Sequence, residues 1–243
     1  MPNSRDIIMR PPTLAERRFT EFRDQLQGLS TREIFDFIYR NNLWDSSESL
    51  SGLGSQLDAT TQLRSQLPIM LDRLGVETLL DIPCGDFSWL STATLHVNHY
   101  IGADIVPEIV SRNISRYRDS HPSADFRVLD LTKDPLPEGD ALLCRDCLVH
   151  LPYALIGDAL KNMTASRIRY VLLTTFMGSE RVNADIEVGN WRPLNLEKPP
   201  FSFPAPEIVL IEGCTEEQGA YADKALGVWR VDHLREIAEK GNR

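Results

Sequence analysis

Asp81-Ile82-Pro83-Cys84-Gly85-Asp86-Phe87 directly follows the apolar run Val76 to Leu80, and a second apolar run closes on Asp104, nineteen residues beyond Gly85. A strand, a tight turn, a helix and then a carboxylate at the end of the next strand form a nucleotide-site layout. That carboxylate can accept both hydrogen bonds from a ribose diol. The usual glycine positions of such a turn are held by Pro83 and Phe87, so only Gly85 is left to let backbone approach a ligand closely.

From this turn onward the pattern alternates. Thr78 to Ile82, Tyr100 to Asp104, Asp125 to Leu129, Ala141 to Cys144 and Tyr170 to Phe176 read as strands. Asp86 to Leu95, Pro107 to Tyr117 and Pro152 to Met163 read as the helices between them, with Pro107 near a first turn, where its missing N–H costs nothing. This spacing predicts an α/β chain with a mostly parallel sheet covered on both faces. Glu207 to Glu212 and Leu226 to Val231 are two more β runs with no room for a long crossover helix between them. They fit an antiparallel pair at one edge.

Ahead of the sheet, Thr13 to Gln27 and Thr31 to Arg40 read as amphipathic helices. Ile34, Phe35, Phe37 and Ile38 share one broad face of the second, and Ser30 or Thr31 can cap it. Asn41 to Gln56 is rich in Ser, Asp and Gly, and Ser51 to Ser55 reads as a flexible turn into a helix from about Leu57 to Leu74. The expected organisation is an N-terminal helical extension or lid over residues 1–56 and a ligand-binding domain over 57–243, with an inserted lid at about 177–206.

A chain of 243 residues with 42% hydrophobic side chains can build a real core. Its net charge of −9 argues against a surface that neutralises a phosphate backbone, so no nucleic-acid partner is expected. Met1 to Thr20 lacks the roughly 7–15-residue apolar stretch of a secretory signal, and no run approaches the roughly 20 apolar residues of a spanning helix. Four cysteines suit a reducing compartment better than a disulfide framework. The expectation is a cytoplasmic protein without a membrane partner.

Five parallel strands with a terminal antiparallel hairpin resemble the Rossmann-like class I S-adenosylmethionine-dependent methyltransferase fold, over roughly Leu57 to Asp232. The strongest local match is Asp81-x-x-Cys84-Gly85, the Asp-x-x-Cys-Gly form of that fold's first motif, supported by Asp104 and Asp130-Leu131 at successive strand ends. Asp81-Ile-Pro-Cys-Gly-Asp, Cys144-Arg-Asp-Cys-Leu-Val-His and Trp191-Arg-Pro-Leu-Asn are also similar to a bacterial methyltransferase subfamily that supplies no substrate.

The resemblance implies a seven-stranded sheet, S-adenosyl-L-methionine as cofactor, and a role for each strand end. Asp81 would hold the methionine ammonium, directly or through water, and Pro83, Cys84 and Gly85 would offer backbone to the amino-acid part. Asp104 would take the ribose hydroxyls, with Ile105 flanking adenine. Asp130 would accept from the adenine amino group, with Leu131 packed on the ring. Cys144 and Arg145 complete the expected cofactor set. Such a cofactor has no diphosphate to cradle, whereas Pro83 has no N–H for a pyrophosphate and Phe87 would crowd one. Each aspartate alone also reads as a turn residue or cap. Trp44, Ser51, Gly54 and Ser55 can close over the methionine carboxylate, a solvated linker being the alternative.

Methyl transfer is an in-line displacement, which needs an aligned acceptor, a dry site and a place for the acceptor's proton. His150 is the natural base, since an imidazole with an unperturbed pKa of about 6.5 is largely neutral at physiological pH. Asp146 can orient His150 or bind the acceptor. Arg145 can pair with an acidic substrate group or brace a carboxylate of the protein. A helix cap before Pro152 is the plain alternative for His150. Cys84, Cys144, Cys147 and His150 also offer a donor set for zinc, but buried cysteines as small hydrophobes are commoner, and no metal is expected.

The segment Met177 to Pro206 is long for a connection and rich in aromatic and proline residues, which favours an ordered lid. Trp191 and Phe201 would wall an acceptor pocket while Asn190, Arg192 and Asn195 read its polar groups. The expected function is methyl transfer to an O or N atom of a small polar acceptor such as a sugar, amino-acid derivative or secondary metabolite. The alternatives are a non-catalytic S-adenosylmethionine-binding or protein-interaction module and, disfavoured by Pro83, Phe87 and the terminal hairpin, a nicotinamide-dependent oxidoreductase.

Overall fold

Leu79 and Leu80 are fully buried on opposite faces of one four-residue strand, β1 (Thr78–Asp81), and the sheet extends outward from it. The structure, a computed structural model, describes residues 12–240, so the outer ends of the expected 1–56 and 57–243 units lie outside the described residues. The other strands are β2 (His99–Asp104), β3 (Ala124–Val128), β4 (Ala141–Cys144), β5 (Tyr170–Phe176), β6 (Ile208–Ile211) and β7 (Lys224–Arg230), in the order β3-β2-β1-β4-β5-β7-β6. β7 runs antiparallel to both of its neighbours, and the other pairings are parallel.

The helices are α1 (Leu14–Leu26), α2 (Thr31–Arg40), α3 (Thr61–Leu74), α4 (Pro107–Tyr117), α5 (Tyr153–Ala165), the single turn α6 (Glu216–Gly219) and α7 (Val231–Lys240). One face of the sheet is covered by α5, α7 and the segment carrying Leu194, Leu196, Phe201 and Phe203. The other is covered by α3, α4 and an aromatic cluster around Phe87, Tyr100, Tyr117 and Phe126. Burial on both faces explains why the central strands are continuous apolar runs and not alternating ones.

Local chemistry sets the N-terminal helices. Thr13 with Glu16, and Ser30 with Glu33, form reciprocal capping boxes that satisfy the first orphan N–H groups of α1 and α2. Phe19, Leu26, Ile34, Ile38 and Leu43 then make a small core of their own. Through Tyr39, α2 also packs on Val106 and Ile109 where β2 hands over to α4, and Arg112 donates to the Tyr39 hydroxyl at 2.9 Å. That contact brings α2 over the carboxyl ends of the strands.

Three elements differ from the pattern read in the sequence. Asp86 to Leu95 is not a helix but a turn with a short 3₁₀ piece at Leu90–Thr92. The Asp86 carboxylate accepts from the Ser49 hydroxyl, the Leu50 N–H and both the N–H and hydroxyl of Ser88, and Phe87 takes a left-handed φ of 55°. Helical continuation is thereby blocked. α3 starts at Thr61, because Gly52 to Gln56 forms its own 3₁₀ turn and the hydroxyls of Thr60 and Thr61 bond back to Gln56, Leu57 and Asp58 carbonyls. Val231 begins a terminal helix and does not end β7; Val231 and Leu234 bury against the face that α5 also covers.

The segment Asn41 to Gln56 is ordered in detail. Ser46 and Ser49 are buried and joined through the Ser49 N–H, while Asn42 exchanges hydrogen bonds with Ser46. The long connection from Met177 to Pro206 carries no helix or strand and is held by side chains. Asn183 donates to the carbonyls of Asn195 and Pro199, and Arg181 is paired with Asp223.

Candidate active site

The in-register ends of β1, β2 and β4 open on one cavity. Ile82 N–H bonds to Leu143, Cys84 N–H to Ala103 and Leu129 N–H to Asp104, so sheet pairing continues one step into each loop and fixes where the next side chains stand. Asp81, Pro83, Cys84 and Gly85 line the cavity from β1, Asp104 and Ile105 from β2, and Asp130 and Leu131 from the end of β3. Arg145, Asp146, Cys147 and His150 line it from β4. Thr31, Phe35 and Tyr39 of α2, with Trp44, Ser51 and Ser55, close the far side.

The three aspartates sit in different electrostatic surroundings. Asp81 is buried, accepts the Tyr100 hydroxyl at 2.6 Å, and is pushed up to about 7 by burial, against that hydrogen bond and with help from the Asp104 charge. Asp104 is pushed up to about 6 by burial, opposed by the N–H groups of Val106 at 2.9 Å and Gly85 at 3.2 Å. Asp130 stays below the usual carboxylate range, because the Thr132 N–H and hydroxyl and the Lys133 ammonium outweigh its burial. A buried carboxylate whose one side-chain donor among the described residues is a tyrosine, as in Asp81, suits a cationic ligand group that would return its charge to the ordinary range.

Gly85 meets a close approach from within the chain. At φ 52°, a Cβ on this residue would lie 2.0 Å from Ser51 Oγ, and that hydroxyl accepts the Asp86 N–H at 3.0 Å. Ser51 is thus locked against the turn, with Ser49 and Leu50 held by the Asp86 carboxylate beside it. The Ser-Gly segment is a built wall of the cavity and not a solvated linker.

Beyond Trp44, Ser51, Asp146 and His150 lies a second cavity that shares those residues with the first. Trp191, Tyr221 and Phe176 form its aromatic side, and Glu216, Glu217 and Lys224 its charged side. His150 is 8% exposed, and its ring packs on Trp44 at 5.1 Å between centroids. Nδ1 lies 2.9 Å from the Asn190 carbonyl, which only accepts, so Nδ1 carries the hydrogen and Nε2 keeps a lone pair. Burial drives this imidazole down to about 4, and it is neutral throughout the physiological range. Behind it, Lys224 Nζ lies 2.7 Å from Asp146 Oδ2 and 3.4 Å from Glu212, and Arg145 grips Glu212 at 2.6 Å and the Gly54 carbonyl at 2.8 Å. Burial works against the Asp146 charge, but Arg145 and Lys224 more than offset it and hold this carboxyl well below the usual range.

No family model matches the sequence, and no curated protein matches it. Solved structures do match in three dimensions. Human N-acetylserotonin methyltransferase in complex with SAM superposes with a TM-score of 0.55 at 15% identity, over 88% of this chain and 66% of that one. The fold is that of the class I methyltransferases. This chain spans about two thirds of the length of that human protein. Magnesium protoporphyrin IX methyltransferase from Synechocystis (TM-score 0.49, 16% identity, 65% of this chain and 82% of that one) is more distant in shape. So is the N-methyltransferase NodS from Bradyrhizobium japonicum (0.48, 14%, 59% and 73%). Neither adds weight to the assignment.

Within this methyltransferase fold, Asp81, Pro83, Cys84, Gly85, Asp104, Ile105, Asp130, Leu131 and Arg145 all line the first cavity, whereas Cys144 does not. Cys144 is fully buried under the β4 end beside Cys147, which lines the cavity in its place. The Arg145 guanidinium is committed to Glu212, Gly54 and Asp146, so it braces the wall. Phe87 turns away from the cavity into the aromatic cluster and crowds no ligand there, which removes one sequence argument against a dinucleotide. The strand order replaces it, since the usual dinucleotide order ends 4-5-6 without the inserted antiparallel strand.

Of the expected acceptor residues, only Trp191 lines the second cavity. Arg192 is buried with its guanidinium on the carbonyls of Leu148, Leu151 and Ala184, and burial lowers it to about 10. It fixes the turn that carries His150. Asn195 ties Glu197 N–H and the Asn183 side chain, and Phe201 packs edge-on against Tyr153 in the core. Asn190 contributes its backbone carbonyl to His150, and Asp146 is paired with Lys224 and does not orient the imidazole. Among the described residues no group of three or more His, Cys, Asp or Glu is placed to hold a metal ion, and no helix is long and apolar enough to cross a membrane.

Sequence reasoning missed Lys224, Glu212, Glu216 and the α2 residues. A lysine opening the otherwise apolar β7 run and a glutamate after the β6 run were visible signals of a buried ion pair between paired strands. The α2 contribution had no such signal.

Proposed function

We propose that this chain binds S-adenosylmethionine in the first cavity and transfers its methyl group to an O or N atom of a small polar acceptor held in the second. The observation that carries the reading is the shared wall. Trp44, Asp146 and His150 stand between a cavity lined by strand-end carboxylates and a second, aromatic and charged one. Bound S-adenosylmethionine supplies an electrophilic methyl on sulfur. Asp81 takes its ammonium, Asp104 its ribose hydroxyls and Asp130 its adenine amino group, while the backbone of Pro83 to Gly85 faces the amino-acid tail. Trp44 and α2 exclude water, which strengthens the charge interactions within. Nε2 of His150 accepts the acceptor's hydrogen and directs its lone pair inward. A free imidazole nitrogen held by a hydrogen bond on the other is suited to that role. The expected organisation, with residues 1–56 as a helical extension or lid and 57–243 as the methyltransferase domain with its lid insertion at about 177–206, is part of this proposal.

Isothermal titration with S-adenosylhomocysteine tests the cofactor half. Asp104→Ala is expected to weaken binding at least about tenfold, or 1.4 kcal/mol. Unchanged affinity would sink the assignment. Incubating the protein with methyl-labelled cofactor and fractionated metabolite extract tests the transfer half, through the labelled product.

A further inference from the structure

The second cavity has a charge balance that the methyltransferase reading leaves unused. Lys224, its one wall lysine, is spent on Asp146 at 2.7 Å and Glu212 at 3.4 Å. Glu216 and Glu217, on the short α6 turn, line the same cavity and make no ion pair within 4.0 Å and no hydrogen bond through their carboxylates among the described residues; burial raises the Glu216 carboxyl, with the nearby Lys224 charge acting against that. His150 adds no compensating charge because it is neutral. The charged side of the cavity is therefore anionic, and its aromatic side carries Trp191, whose ring favours cations, and Tyr221, whose ring already has the Arg181 guanidinium over it at 5.3 Å. The chain's net charge of −9 further favours approach of a cation over an anion.

An acidic turn alone would be a solvated surface. Here a second feature points to a ligand. His150 is more than nine-tenths buried, its Nδ1 is taken by Asn190, and its Nε2 has no partner among the described residues. His150 lines both cavities, so a hydrogen donor reaching it from the α6 side stands beside the cofactor cavity.

We infer that the methyl acceptor is a small organic cation, its ammonium or guanidinium group against Glu216 and Glu217 and its reacting O–H or N–H against Nε2 of His150. This rests on the methyltransferase reading for the identity of the site, but the charge preference belongs to the cavity and can be measured by itself. Phosphorylated and carboxylated acceptors are disfavoured by the same carboxylates.

The test uses three phenols that differ only in the charge of the side arm: tyramine, tyrosol and 4-hydroxyphenylacetate. Binding to the protein, with and without saturating S-adenosylhomocysteine, is followed by calorimetry and by the fluorescence of Trp44 and Trp191. Tyramine is expected to bind at least about tenfold tighter than 4-hydroxyphenylacetate, with tyrosol between them. The order should collapse in a Glu216→Gln, Glu217→Gln double variant, whose changes lie on an exposed turn and should leave S-adenosylhomocysteine affinity unaltered. Equal or tighter binding of the anion, a preference that survives the double variant, or no binding of any of the three at millimolar concentration would overturn the inference. Failure to bind S-adenosylhomocysteine while the preference for tyramine persists would instead overturn the cofactor reading alone.

Discussion

Cofactor affinity in this chain should depend steeply on pH between about 5 and 7, and the reason is Asp81. In the free protein burial raises its pKa to about 7, so at pH 7 only about half of the molecules present the carboxylate that an ammonium requires. Pairing with that ammonium favours the ionised form, so binding releases a proton and strengthens as pH rises through 7. At pH 5 the ionised fraction is about one hundredth, and Asp81 alone costs about 50-fold in affinity relative to pH 7, or about 2.3 kcal/mol. Asp104, pushed to about 6, adds at most about tenfold over the same interval. Titration calorimetry with S-adenosylhomocysteine in buffers of different ionisation enthalpy reads both the affinity and the protons released. The interval lies below the range of about 7.7–8.0 in which an α-amino group titrates, so the ligand stays protonated. Asp81→Asn should bind more weakly at pH 7 but lose only the roughly tenfold that belongs to Asp104 on acidification. A pH-independent affinity with no proton release, or an undiminished acid limb in Asp81→Asn, would refute the argument.

Two further outcomes follow from the second cavity and the wall behind it. His150→Ala should lower methyl transfer by about 10²-fold or more with little change in S-adenosylhomocysteine affinity; because the imidazole sits at about 4, the wild-type rate profile should show no histidine limb between pH 6 and 7. Lys224→Met leaves Asp146 and Glu212 sharing one buried arginine, and chemical denaturation should register a loss of about 3–5 kcal/mol, which a silent substitution would contradict.

The sheet was legible because its signals are local. The central strands β1, β4 and β5 bury both faces and are largely apolar, while β3 at the edge keeps Asp125 and Arg127 exposed; the aspartates that end β1 and β2, with Asp130 just past β3, break the apolar runs. The capping residues of α2 lie within one turn of the bonds they make, and Thr31 to Arg40 was read with its observed ends. The turn after β1 misled for the opposite reason. Asp86 looks like a helix start until Ser49 and Leu50, more than thirty residues away, claim its carboxylate.

The amino-acid sequence alone determined the alternation, the terminal antiparallel pair and the strand-end carboxylates, since periodicity and capping act between near neighbours. Only the tertiary structure decided which polar residues line the cavities. Arg145 finds Glu212 across 67 positions, and Lys224 finds Asp146 across 78. Arg192 was read as a substrate contact, yet it is spent on carbonyls that no pattern along the chain announces. A buried charge must find partners wherever the fold provides them, and among the described residues Nε2 of His150 and the carboxylates of α6 stand beside the cavities without a hydrogen-bond or ion-pair partner.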